Sequence, residues 1–87
     1  MNWDGCRILV TGGAGLIGSH LVARLLTKGV HVRVVDNLER GRLEYLGKCL
    51  PMTEFRQEDL RDRNISQRAC DGMDIVFHLA SKVGGIG

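Results

Sequence analysis

Cysteine is scarce and oddly counted in this chain. Cys6, Cys49 and Cys70 are the only three, and no two stand in a CxxC spacing. An odd count without that spacing argues against a disulfide framework and against a zinc site. The expectation is three buried or half-buried thiols in a reducing compartment. No apolar run approaches the ~20 residues needed to cross a bilayer. The start, Met1-Asn2-Trp3-Asp4-Gly5, lacks the basic-then-apolar pattern of a secretory leader. Cytoplasmic residence and no membrane partner are the resulting expectations. Nor does one sign of charge dominate: 12 basic and 10 acidic residues leave a net charge of +2, and the arginines form no stripe. That balance gives no footprint for nucleic acid. Repeats and low-complexity tracts are absent, and proline occurs once, at Pro51.

What is present is an ordinary globular mixture, 44% hydrophobic and 25% charged, which argues against disorder. With 87 residues the chain makes one domain at most, below the common domain size of roughly 100–150 residues, so its core is modest.

The hydrophobic pattern alternates between two periods. Cys6-Arg7-Ile8-Leu9-Val10 is an aliphatic, β-branched run ending at Thr11-Gly12-Gly13, and it reads as a buried strand. From Gly15 to about Lys28 the apolar residues recur at three- and four-residue spacing. Ile17, Leu21 and Leu25, with Gly18, Val22 and Leu26 beside them, predict one apolar helical face. Gly29 supplies the stop. Val30 to Val35 reads as a second strand ending at Asp36, and Leu43 to Leu50 as a short helix broken by Pro51. Thr53 to Arg56 reads as a third strand, Asp62 to Cys70 as a helix with Asp62 as N-cap, and Asp74 to Leu79 as a fourth strand. Strands alternating with helices predict an α/β fold, a Rossmann-type parallel sheet with helices on both faces. In a doubly wound sheet the strand order is 3-2-1-4. Strand 4 would then be a bare edge, a liability in a parallel sheet. Residues 1–87 are therefore expected to be an N-terminal portion, the first half of an incomplete doubly wound fold.

Gly13-Ala14-Gly15-Leu16-Ile17-Gly18 matches GxGxxG. The pattern is weak alone, but here it follows a predicted strand and opens a predicted helix. Asp36 closes the next strand 18 residues after Gly18, near the expected spacing of ~20. Early glycines allow a tight turn and close approach to a pyrophosphate. The last glycine lets helix and strand pack, and the free N–H groups of the helix start attract phosphate. Asp36 would accept from an adenosine ribose 2′-hydroxyl and repel a 2′-phosphate, which favours NAD over NADP. Arg33 and Arg40 are the cations that would soften that preference.

Thr11-Gly12-Gly13-Ala14-Gly15-Leu16-Ile17-Gly18-Ser19-His20-Leu21 resembles the TGGAGFIGSHL segment of the extended short-chain dehydrogenase/reductase family. Val35-Asp36-Asn37-Leu38 resembles its VDNL, Asp59-Leu60-Arg61-Asp62 its DLRD, and Phe77-His78-Leu79-Ala80-Ser81 its VFHLAA. Four motifs in order span nearly the whole chain. The resemblance implies an NAD-dependent nucleotide-sugar epimerase, dehydratase or reductase that is a homodimer. It implies cofactor contacts from Gly12, Gly15, Leu16, Ile17 and Gly18 at the turn, and from Asp36 and Asn37 after strand 2. It places Asp59 and Leu60 at the adenine, and Leu79, Ala80 and Ser81 after strand 4. Ser81 to Gly87 is similar to the AAKVGGI segment of GDP-fucose synthases and the GGMG stretch of GDP-mannose epimerases, which implies a GDP-sugar near Lys82. His78, at a strand end, is expected to be a packed, neutral side chain.

The sequence departs from the family at its chemistry. Family members use a Tyr-x-x-x-Lys pair beyond strand 4. The single tyrosine, Tyr45, is followed four residues on by Cys49, and Lys48 is one position short. No catalytic residue is assigned, and the chain alone is not expected to turn over substrate. A free-standing, non-catalytic dinucleotide-binding module is the alternative. A flavoprotein segment fits less well, because it would place Glu where Asp36 stands.

Overall fold

The computed structural model describes residues 3–79. Four strands, β1 Arg7–Thr11, β2 His31–Asp36, β3 Glu54–Gln57 and β4 Ile75–His78, form one sheet in the order β3-β2-β1-β4. All pairings are parallel. The expected Rossmann-type topology is the observed one. The register sets Thr11 against Val35 and His78, and Asp36 against Gln57. These residues share the carboxyl end of the sheet, where open α/β sheets bind ligands.

Helices cover both faces because the central strands bury both sets of side chains. On one face Ile8, Val10, Val32 and Val34 pack with Val22 and Leu25 of α1, Leu16–Leu26, and with Leu46 of α2, Leu43–Leu46. On the other, Leu9 and Val35 meet Ala69 of α3, Arg63–Cys70, with Leu60 and Met73 at the border. Full burial of one such aliphatic side chain contributes about 1.5–3 kcal/mol, so this handful of central residues sets the stability.

Four expectations are corrected. Ile17 is 77% exposed: the stripe facing the sheet centres on Gly18, Val22 and Leu25, and Ile17 is turned away from it by about 100°. The second helix is α only to Leu46 and continues as a 3-10 helix, Gly47–Met52, which contains Pro51. Pro51 has no N–H to donate and in an α-helix its ring would meet the carbonyl four residues back, so the α-helical ladder does not run through it. Cys70 is exposed, while Cys6 and Cys49 are half-buried, because Cys70 ends α3 on its outer side. Asp62 does cap α3, accepting from the Asn64 N–H at 2.8 Å and the Ile65 N–H at 3.2 Å.

Arg33 is the fourth correction. It points away from the carboxyl end and is 7% exposed. Its Nη1 donates to the carbonyls of Ala69 at 2.7 Å and Asp71 at 3.0 Å, where α3 ends. Its Nε stands 3.0 Å from Glu54 Oε1 in an ion pair. A guanidinium so engaged, at a helix C-terminus whose dipole favours a cation, is not available to a 2′-phosphate.

Candidate functional site

The chain leaves β1 at Thr11 and turns into α1 through Gly12 to Gly15. Gly12 has φ +73°, the left-handed region where a side chain is strained. Gly12 therefore is glycine for conformation. Gly18 is glycine for packing: a Cβ there would fall on the Gly12 carbonyl oxygen and stand 2.9 Å from Gly13 Cα. Gly13 is likewise crowded, its Cβ position 2.7 Å from Val34 Cγ1. Gly15 differs from these. Its φ is −75°, and an added Cβ would meet only the Gly12 carbonyl at 3.2 Å. That contact is crowded but milder than those at Gly13 and Gly18, and Gly15 also lines the crevice.

That crevice lies over the carboxyl ends of the strands. Its volume is about 1000 Å³, and Gly12, Gly15, Asp36, Asn37, Asp59 and Leu79 are among its walls. Ligand cavities span roughly 300–1,000 Å³, so it has room for a dinucleotide. At its inner edge α1 begins at Gly15 with no side-chain cap and no acid in its first turn. The N–H groups and positive dipole end are left to an anion.

Asp36 is 7% exposed and its carboxylate is part of the scaffold. Oδ2 accepts from the Ala14 N–H at 3.0 Å and Oδ1 from the Leu38 N–H at 2.7 Å. One aspartate thus ties the glycine turn to the end of β2, and its second lone pairs remain for a hydroxyl. Asn37 Oδ1 accepts from the Glu39 N–H at 2.9 Å. Across the crevice, both oxygens of Asp59 pair with the Arg61 guanidinium, the shortest contact being 2.7 Å from Nη2. These hydrogen bonds and the Asp59 charge raise the Arg61 pKa further above its ordinary value. Leu60 turns its side chain to the second core cluster and lines the crevice beside Asp59.

The structure therefore brings Gly12, Gly15, Asp36, Asn37, Asp59, Leu60 and Leu79 to one crevice. Gly18 sits beneath it, packed on the turn. Leu16 and Ile17 carry exposed side chains, 61% and 77%, in the first turn of α1, and these do not line the crevice. Ala80, Ser81, Lys82 and the glycine-rich segment at 84–87 lie outside the described residues. His78 is exposed rather than packed, with Nδ1 2.8 Å from Thr11 Oγ1. The side chain faces the crevice because β4 turns alternate residues outward.

Sequence reading missed two contributors. Leu38 has φ +63°, a strained setting for leucine, and no sequence signal marks it. Gly41 is buried against Ala14 and Asp36; a glycine five residues past Asp36, in a short connection, was the available signal.

Residues 8–87 match the NAD dependent epimerase/dehydratase family. The chain is 37% identical to a UDP-N-acetyl-alpha-D-glucosaminuronate decarboxylase of Bacillus cytotoxicus over 90% of this chain and 24% of that protein. It is 41% identical to a 3 beta-hydroxysteroid dehydrogenase/Delta 5-->4-isomerase of Mycobacterium tuberculosis over 86% of this chain and 19% of that one. Among solved structures, the Thermus thermophilus UDP-glucose 4-epimerase in complex with NAD superposes with a TM-score of 0.73 at 44% identity, covering 87% of this chain and 24% of that one. The chain spans about a quarter or less of the length of these relatives. Family match, sheet order, glycine turn and terminal aspartate agree: the chain belongs to the NAD dependent epimerase/dehydratase family, whose cofactor is NAD.

Proposed function

We propose that this chain is the NAD-binding portion of a nucleotide-sugar epimerase, dehydratase or reductase, with the catalytic and substrate-binding parts supplied by the remainder of the protein. The observation that carries the reading is Gly15. Gly12 is required by its positive φ and Gly13 and Gly18 by hard contacts under 3.0 Å, whereas Gly15 has an ordinary φ, a milder contact of 3.2 Å between its Cβ position and the Gly12 carbonyl oxygen, and a place in the wall of the crevice. A glycine less crowded than its neighbours in the turn, set at an uncapped helix start in the crevice wall, leaves the backbone bare for close approach of a pyrophosphate.

In this reading the Gly12–Gly18 turn and the first N–H groups of α1, at Leu16 and Ile17, hold the pyrophosphate. Asp36 accepts from the adenosine ribose and Asn37 borders it. Asp59 and the Leu60 backbone meet the adenine. Leu79, with Ala80 and Ser81 after it, borders the other ribose. When bound, NAD supplies a hydride acceptor for a sugar carbinol carbon. The residues present here bind and orient; no group among them is assigned to move the proton. Relatives named for UDP-sugars support a nucleotide sugar as the substrate class. A steroid dehydrogenase shares this same quarter, so the residues that select the substrate belong to the remainder.

Binding of NAD and NADP, compared by calorimetry, tests the proposal. The wild-type protein binds NAD more tightly. Asp36→Ala weakens NAD by about tenfold or more, the loss of a hydrogen bond to a charged group, and narrows the gap to NADP. Tighter binding of NADP by the wild-type protein defeats the assignment of Asp36.

A further inference from the structure

We propose that Gly41 is a positioning residue for cofactor selection: its bare Cα lets the strap of residues 37–42 seat on Ala14 and fix the Asp36 carboxylate in the pose that grips a ribose hydroxyl. The inference rests on the reading that this crevice takes NAD with its adenosine ribose at Asp36.

The strap is closed by a ring of hydrogen bonds. It leaves β2 at Asp36, whose Oδ1 accepts from the Leu38 N–H at 2.7 Å. It is braced by Asn37 Oδ1 accepting from the Glu39 N–H at 2.9 Å. It returns over the glycine turn, where the Arg42 N–H donates to the Ala14 carbonyl at 3.0 Å. The Ala14 N–H then donates to Asp36 Oδ2 at 3.0 Å. Both backbone polar groups of Ala14, itself fully buried, are thus spent on Asp36 and on the strap.

Gly41 lies inside that ring. A Cβ added there would stand 2.7 Å from Asp36 Oδ2, 2.9 Å from the Ala14 carbonyl carbon and 3.0 Å from Ala14 Cβ. Its φ is outside the left-handed region, so glycine is needed for space and not for conformation. Two of the three obstructing atoms are fixed by the backbone of a buried residue. The mobile one is Asp36 Oδ2, and it yields by swinging off the Ala14 N–H. A side chain at position 41 therefore acts on the carboxylate that selects between a 2′-hydroxyl and a 2′-phosphate. Leu38 adds a second sign that the pose is imposed. Its left-handed φ persists because Asp36 holds its N–H and its side chain packs on the first core cluster.

A purely structural glycine and a positioning glycine differ in one readout. Loss of fold integrity weakens both dinucleotides together. Displacement of Asp36 removes a contact that NAD makes and that NADP, repelled at the same place, does not. The experiment is Gly41→Ala in the full-length natural protein, with Kd for NAD and for NADP measured side by side. NAD should weaken about tenfold, as for a lost hydrogen bond to a carboxylate, while NADP changes by less than about twofold, so the preference collapses. Parallel weakening of both, or unchanged NAD binding, overturns the proposal. Should Gly41→Ala fail to fold, the wild-type protein decides through amide exchange without cofactor. The Ala14 and Arg42 amides must already be protected, and exchange at open-loop rates overturns a pre-seated strap. A wild-type protein that binds neither dinucleotide defeats the functional reading itself. A wild-type that prefers NAD, with the preference intact in Gly41→Ala, defeats this inference alone.

Discussion

Gly18 shows how much a single position decides. A methyl group there meets the Gly12 carbonyl oxygen and Gly13 Cα, both backbone atoms of the turn that α1 packs against. Neither rotates away, so Gly18→Ala pushes the helix off β1. Overpacking of this kind costs about 1–3 kcal/mol, and the rigidity of the obstruction places this site at the upper end. The expected outcome is an unfolding free energy from urea titration lowered by that amount, seen as a lower midpoint, with NAD binding weakened because the first N–H groups of α1 move with the helix. An unchanged midpoint would mean that α1 slides freely on β1. Gly18 and Asp36 were legible in the sequence because their roles depend on spacing along the chain. Gly41 and Leu38 were not. The constraint on Gly41 comes from Ala14, which lies more than 20 residues earlier and meets it only in the folded chain, and that on Leu38 from the Asp36 carboxylate and the first core cluster.

At the scale of elements, the order of strands and helices followed from period changes and glycine punctuation. Apart from α2, which ends as an α-helix four residues early at Leu46, their ends shifted by one or two residues where hydrogen bonding, which a pattern does not carry, sets the boundary. The use of Arg33 was hidden for the same reason: it occupies an inward strand position that reads as an interruption of a valine run. In the fold it ties β2 to α3 and β3, and Glu54 is its counter-charge. Burial pushes the Glu54 carboxyl upward, but hydrogen bonding and charge from Arg33 and Arg56 outweigh it and hold the group below its ordinary value of 4.5. A carboxyl depressed on folding stabilises the native state above its unfolded-state value, and that contribution is lost as pH falls through the folded-state value. The side chain is 45% exposed, so solvent screens the pair and its worth is about 1 kcal/mol or less. Urea unfolding of wild type and Glu54→Gln at neutral pH and below 4.5 should show the wild-type advantage shrinking on acidification. A constant difference across that window would remove the ion pair from the account.

For the whole molecule the unequal covering of the sheet is what matters. β1 and β2 lie between strands and carry most of the large fully buried side chains: Ile8, Leu9, Val10, Val34 and Val35. β4 has β1 as its one partner among the described residues, and it leaves Val76 45% and Leu79 40% exposed. Exposed apolar residues on a sheet edge invite another chain segment. If this chain is one portion of a longer enzyme, that segment comes from the rest of the protein, and β4 depends on it. Amide exchange of the 87-residue chain by itself should then show slow exchange at Ile8, Val10 and Val34 and fast exchange along Ile75–His78. The same β4 amides should exchange as slowly as β1 in the full-length protein. The contrast follows from local stability, since an edge strand with few buried contacts opens without global unfolding. Equal protection of β4 and β1 in the isolated chain would mean that four strands suffice. It would move the reading from a portion of an enzyme to a self-sufficient dinucleotide-binding module.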